Sequence, residues 1–317
     1  MLTNRLEMTE TRFDCIGFGI CAADYLCLLG HYPKLDEKTT ASEFSKQGGG
    51  PVPTALVTLA RLGARTAFIG KVGNDAAGDF IREEFRREGV STAFMIIDEA
   101  VKTPEAFIWI DQPSGKRTVV LNRTHISDVS VGQIAAEQVT AGKILLIDGW
   151  EAETSIQAAK WAKDSGRIVV ADFGSVRERI EEMLPLVDYP IVSAKFIRQM
   201  WGQIEVPTAT KKLLQWGARA GVVTCGPQGC FGNDGQHVYF QPAFTVPVVD
   251  TTGAGDVFHG AFIFGLLQQW ALPDILRFAS AVAALKCTAL GGRAGIPNRP
   301  QTEQFLDRHL NCRVTVL

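Results

Sequence analysis

Short apolar runs of strand length alternate along the chain with stretches whose apolar residues recur at helical spacing. The rhythm is clearest in the second half. Residues 144–148, 168–172, 189–192 and 221–224 are apolar runs, and segments 152–164, 178–184 and 209–216 between them are helical in pattern. This alternation predicts a parallel sheet with helices on both faces. Ligands in such sheets sit at the carboxyl ends of the strands, where Asp24, Asp148, Asp172, Ser193 and Thr224 fall.

The first half is less regular. Residues 13–20 read as a strand, and the apolar stretch 26–29 continues as extended chain. A short exposed strand is expected at 38–46, a helix at 55–62 closed by Gly63, and a strand at 66–71. Residues 79–88 form an amphipathic helix with Phe80, Ile81 and Phe85 on its buried side. In 104–124, Phe107 and Trp109 on one side and Thr118, Val119 and Val120 on the other flank Gln112-Pro113-Ser114-Gly115-Lys116, a hairpin pattern. Together with 38–46 it predicts a small sheet standing off the core. A long apolar helix over 254–269 and a small-residue helix over 279–289 complete the pattern.

The composition is globular, with 46% apolar and 21% charged residues in 317. A net charge of −2 without a basic block argues against nucleic acid as a partner. No apolar run reaches the roughly 18 residues of a membrane span. Residues 1–12 are polar and lack an apolar signal core, so a flexible tail and a cytoplasmic location are expected. Seven cysteines form no C-x-x-C pair and read as reduced thiols rather than disulfides or zinc ligands.

The candidate chemistry gathers in Asp250-Thr251-Thr252-Gly253-Ala254-Gly255-Asp256-Val257-Phe258. A turn of small residues running into a helix leaves backbone N–H groups free for an anion, phosphate above all. Asp256 falls in the first turn, where the helix dipole favours its ionised form, and a carboxylate beside a phosphate cradle can take a proton from a hydroxyl. A capping Asp after a Gly-rich loop fits the same four residues. Gly17, Gly19 and Ala22, with Asp36 further on, fit a dinucleotide fingerprint, but that fingerprint needs a helix directly after the glycines and the pattern there is extended. Gln47-Gly48-Gly49-Gly50-Pro51-Val52-Pro53-Thr54 is a second place where backbone can approach a ligand closely.

The full stretch 250–258, followed by Gly260 and Ala261, resembles the C-terminal signature of the ribokinase-like (PfkB) carbohydrate kinases. The segment 47–54 resembles their N-terminal signature, with Thr54 at the position of a sugar-contacting Asn. The resemblance covers about residues 13–310 and implies an α/β fold, a three-layer sandwich with a mostly parallel central sheet and a small β-sheet lid. It divides the chain into a core of 13–37, 47–103 and 125–312, a discontinuous lid of 38–46 and 104–124, and the tail 1–12.

By this resemblance, ATP phosphorylates a primary hydroxyl of a small sugar. Asp256 is the general base, and the Gly253, Ala254 and Gly255 amides form the anion hole. Asp24, Gly49, Gly50 and Thr54 meet the sugar, while Lys195, Thr224, Gly226, Gly229 and Ser280 meet the nucleotide. Asp250, Thr252, Gly291 and Gly295 would hold a monovalent cation such as K⁺. The lid closes over the sugar and often joins two copies, so a homodimer is expected. Arg117, Arg123 and His125 either reach the substrate or are solvated hairpin charges. The family's Asn-x-x-Glu, which organises Mg²⁺, is replaced by Ser193-Ala194-Lys195-Phe196, leaving Mg²⁺ to the nucleotide and water. That loss and the Thr54 change leave room for a non-catalytic sugar or nucleotide sensor, and a nucleoside is a further possible acceptor.

Overall fold

The computed structural model describes residues 11–317. Of the tail expected at 1–12, residues 1–10 lie outside the described residues. In chain order the elements are β1 (Phe13–Phe18), β2 (Ala22–Leu29), β3 (Glu43–Gly49), α1 (Pro51–Arg61), β4 (Thr66–Gly73), α2 (Ala76–Arg87) and β5 (Val90–Asp98). A hairpin of β6 (Glu105–Asp111) and β7 (Arg117–Asn122) follows, then α3 (Ala136–Thr140), β8 (Gly142–Ile147), α4 (Ala152–Asp164), β9 (Ile168–Phe173) and α5 (Ile180–Met183). Next come β10 (Tyr189–Ser193), α6 (Ala194–Trp201), α7 (Val206–Leu214), β11 (Gly221–Thr224), β12 (Cys230–Asn233) and β13 (Val238–Gln241). The chain ends with α8 (Ala254–Leu267), α9 (Leu272–Lys286), α10 (Arg299–Arg308) and β14 (Thr315–Val316).

Ten strands form one sheet in the order β14-β13-β12-β11-β10-β9-β8-β1-β4-β5. The pairs from β11 to β5 are parallel, and β12, β13 and β14 add an antiparallel edge. Successive side chains on a strand point to opposite faces, and here both faces are apolar. Cys15, Phe68 and Leu146 enter one cluster, packed with α1, α8 and α9. Ile16, Ile69 and Leu145 enter the other, packed with α4, α6 and α7. The result is three layers. Gly260 of α8 lies against the Ala55 carbonyl of α1, where a Cβ would not fit, so these helices cross closely.

A second sheet has the order β3-β2-β6-β7. It takes in Ala22–Leu29, which corrects the expected core segment 13–37, and its strand β3 begins at Glu43 rather than at residue 38. Leu26 and Leu28 pack with Ala106, Ile108, Ile110 and Leu290 on the inner face. Tyr25 stacks on Phe107 at 5.5 Å on the outer face. An apolar run buried on alternate residues therefore belongs to the small sheet, not to the core. The strand also replaces the helix that a dinucleotide fingerprint would require, and Asp36 sits in a loop with φ 64°. The hairpin tip reaches back to the core, where Thr251 donates to the Gly115 carbonyl through its N–H (3.1 Å) and its hydroxyl (3.0 Å). No helix among the described residues is long and apolar enough to cross a membrane. All seven cysteines are free thiols, five of them buried.

Candidate active site at the head of α8

Gly253 caps α8 in the left-handed region (φ 73°, ψ 2°), a conformation that costs glycine nothing. A side chain there would also press on the Gly292 backbone, 3.0 Å from its Cα. Gly255 is different: it is exposed, and a Cβ on it would meet nothing within 4 Å. Among the described residues the amides of Gly255 and Asp256 have no backbone acceptor, as expected for the first turn of a helix. Open space in front of free amides at a helix N-terminus is a cradle of anion size and sign. The turn is pinned from below. Asp250 is fully buried, its Oδ1 accepting from the Thr252 N–H (2.8 Å) and hydroxyl (2.7 Å) and its Oδ2 from the Gly291 N–H (2.8 Å).

Asp256 stands at the rim of this cradle, half-buried. Desolvation raises its pKa to about 6, helped by the Asp172 carboxylate and opposed by His259, Arg117 and Lys286. Asp24, near the start of β2, is raised to about 7 by burial, with Arg293 opposing the rise and Asp256 adding to it. Asp24 therefore lies within electrostatic reach of Asp256. Behind Asp256, the His259 ring donates between elements. Its Nδ1 is 2.7 Å from the Gly255 carbonyl and 3.3 Å from Asp172 Oδ2, and its Nε2 is 3.2 Å from the Ile191 carbonyl. Burial pushes the Asp172 carboxyl up, while His259 and Arg177 pull it back.

The segment 47–50 makes the neighbouring wall. The Asp24 carboxyl packs on the bare Gly49 backbone, where a Cβ would overlap it. The Gly48 N–H donates to Glu84, which also pairs with the buried Arg293 at 3.1 Å. Gly50 caps α1 with φ 103°. Thr54 is buried in that helix, and a Cβ on Gly292 would lie 4.0 Å from its hydroxyl oxygen. From the hairpin, Arg117 reaches Thr251 at 3.4 Å. Arg123 does not join it, pairing instead with Asp128 (2.8 Å) and the buried Glu151 (3.4 Å). His125 gives its backbone carbonyl to Lys102. Beyond β8, Arg177 stacks on Trp150 at 3.8 Å. Asp148, raised to about 7 by burial, accepts from the Ile20 and Trp150 N–H groups.

The residues expected at the nucleotide lie at the end of β11, in the turn after it, and on α6 and α9. Ser193 and Thr224 are register partners at the ends of β10 and β11. Ser193 caps α6 by accepting from the Lys195 and Phe196 N–H groups, and Lys195 is exposed. Gly226 (φ 57°) and Gly229 (φ 109°) bound the turn after β11. Ser280 of α9 is buried with its hydroxyl 3.5 Å from Cys230 Sγ.

The chain matches the pfkB family carbohydrate kinases over residues 15–299. It belongs to that family. A ribokinase of Haemophilus influenzae is 29% identical over 301 residues, covering 91% of this chain and 97% of its own. A putative ribokinase from Agrobacterium tumefaciens superposes with a TM-score of 0.86 at 27% identity, over 94% of this chain and 99% of that one. Arabidopsis thaliana ribokinase, solved with ribose and ATP, gives 0.79 at 25% identity over 93% and 98%. The protein is an ATP-dependent sugar kinase.

Four charged or polar residues of this kinase are not marked by the motifs: His259, Lys286, Arg293 and Arg177. A signal existed for two of them. Lys286 is a lone charge in a helix of Ala, Val and Leu, and His259 falls one turn after Gly255 in an apolar helix. Their partners are backbone carbonyls 36 and 68 residues away, which no local pattern identifies.

Proposed function

We propose that this kinase moves the terminal phosphoryl group of ATP to a primary hydroxyl of a small sugar, with Asp256 taking the hydroxyl proton. The observation that carries this is the placement of Asp256, beside free amides and open space at Gly255 and within electrostatic reach of Asp24. Phosphoryl transfer asks mainly for positioning and charge stabilisation, so few chemical residues are needed.

Asp24, Gly49, Gly50 and Thr54 orient the sugar. The Gly253, Ala254 and Gly255 amides hold the phosphoryl oxygens as charge shifts onto them. A base with a pKa near 6 is ionised at neutral pH yet still basic enough to accept a proton. ATP supplies the phosphoryl group, and Lys195, Thr224, Gly226, Gly229 and Ser280 line its place. Mg²⁺ offsets the phosphate charge when bound. In this reading Mg²⁺ rides mainly on phosphate oxygens and water, a mode this ion tolerates.

The small sheet serves as lid and as contact between two copies. Phe44 (60% exposed), Phe107 (45%), Trp109 (40%) and Val120 (55%) give its outer side an apolar surface that a second subunit would cover. The test is a panel of small sugars scored by ADP release, run with wild type and Asp256→Asn. Sugar-dependent ADP release that collapses in the variant supports the proposal; its persistence removes Asp256 from the chemistry.

A further inference from the structure

The residues expected to hold a monovalent cation are brought together, and a cation of the protein's own is already among them. Lys286 closes α9, is fully buried, and donates from Nζ to the Asp250 carbonyl at 2.8 Å. The Asp250 carboxylate is also engaged, Oδ1 accepting twice from Thr252 and Oδ2 once from Gly291. Gly295, the other expected contributor, lies directly on the Lys286 backbone carbonyl, where a Cβ would overlap it. A bare K⁺ ion needs several oxygens to replace its hydration shell. Here a carbonyl it would use is bonded to an ammonium, and a second positive charge a few ångströms away would be repelled. These residues do not fit K⁺.

We infer that the Lys286 ammonium stands where a monovalent cation would stand under the anion cradle, so that this kinase works without K⁺. The inference rests on the reading of the 253–256 turn as the phosphoryl site. The place suits a fixed charge. The carbonyl end of α9 carries the negative pole of its dipole, which favours a cation in the last turn. The next carbonyl, that of Cys287, accepts from the Val249 and Asp250 N–H groups, which ties the ammonium's helix to the strand of chain leading into the cradle. Burial opposes the Lys286 charge and holds its pKa below the ordinary value; of the groups facing it, Asp250, Cys287 and Asp256 favour the charge and Arg117 opposes it. Its charge in turn reaches Asp256, helping keep that carboxyl ionised. A lysine differs from a bound ion in one functional respect: it cannot be lost by dilution.

The experiment compares K⁺, Na⁺ and tetramethylammonium as the sole cation at equal ionic strength. The inference expects the wild-type melting temperature and sugar-dependent rate to be the same in all three. A melting temperature raised by several degrees, or a rate raised several-fold, by K⁺ over the other two overturns it. The melting measurement needs no substrate, so it stands even if the sugar assays show the kinase reading to be wrong. Lys286→Ala removes the ammonium and leaves room for an ion. It is expected to lose on the order of 10²-fold in rate in tetramethylammonium, and to gain in rate and melting temperature as K⁺ is added. An alanine variant that turns over like wild type in tetramethylammonium overturns the inference as well.

Discussion

Replacing His259 by glutamine separates the electrostatics of the site from its shape. Every polar neighbour of the ring is an acceptor: the Gly255 carbonyl at 2.7 Å, the Ile191 carbonyl at 3.2 Å and the Asp172 carboxylate at 3.3 Å. The ring can therefore only donate to these neighbours. Asp256 lies three residues earlier on the same helix, a spacing that puts side chains about 5–6 Å apart. At about 6 Å and an effective dielectric constant of about 20, a unit charge is worth about 3 kcal/mol, or about two pH units. Asp172 beside the ring cancels much of this, and water at the half-open rim screens more. The surviving effect is about half to one pH unit.

The sign follows from direction. His259 holds the Asp256 pKa down, so its loss raises that value above about 6. The base is then ionised over a narrower range, and the acid limb of kcat/KM moves to higher pH. Asp172→Asn removes the neighbouring negative charge and moves the limb to lower pH. Losing the bridge to Ile191 also costs about 1–3 kcal/mol of stability, read by denaturant unfolding. An acid limb that stays put in His259→Gln, or moves the same way in both variants, refutes the reasoning.

Three other outcomes are expected. Gly255→Val should fold, because a side chain there meets empty space, yet lose on the order of 10²–10³ in kcat as that space fills; steady-state kinetics with a circular dichroism control checks it. Deleting residues 112–116 and closing the hairpin removes the Gly115 contact with Thr251. It should raise the sugar KM and the sugar-independent release of ADP, since an open site admits water. Trp109→Asp places a charge on the outer face of the small sheet and should shift sedimentation towards the monomer, with thermal stability of the core unchanged.

The turn of small residues into α8 was legible in the sequence, and Gly253 there takes a positive φ while a side chain on Gly255 would meet empty space. The parallel sheet was legible in its second half because buried strands there are continuous apolar runs. Misread boundaries came from proline. The helix expected at 55–62 begins at Pro51, and the one expected at 279–289 begins at Leu272, because Pro51, Pro53 and Pro273 sit in first turns, where a missing N–H is no loss. The β2 strand was misplaced because Leu26-Cys27-Leu28-Leu29 is apolar throughout, and an unbroken apolar run does not reveal which sheet it joins. Buried charges were the least visible. Lys286 and Arg293 find their partners in chain far away in sequence, and composition places such residues on the surface.

The most direct test of the account is ADP release by wild type and Asp256→Asn, side by side, on the sugar that wild type uses best. The account predicts a fall of about 10²–10⁴-fold in turnover, with ATP affinity unchanged by calorimetry because the asparagine keeps the shape of the rim. Turnover within a few-fold of wild type would contradict it.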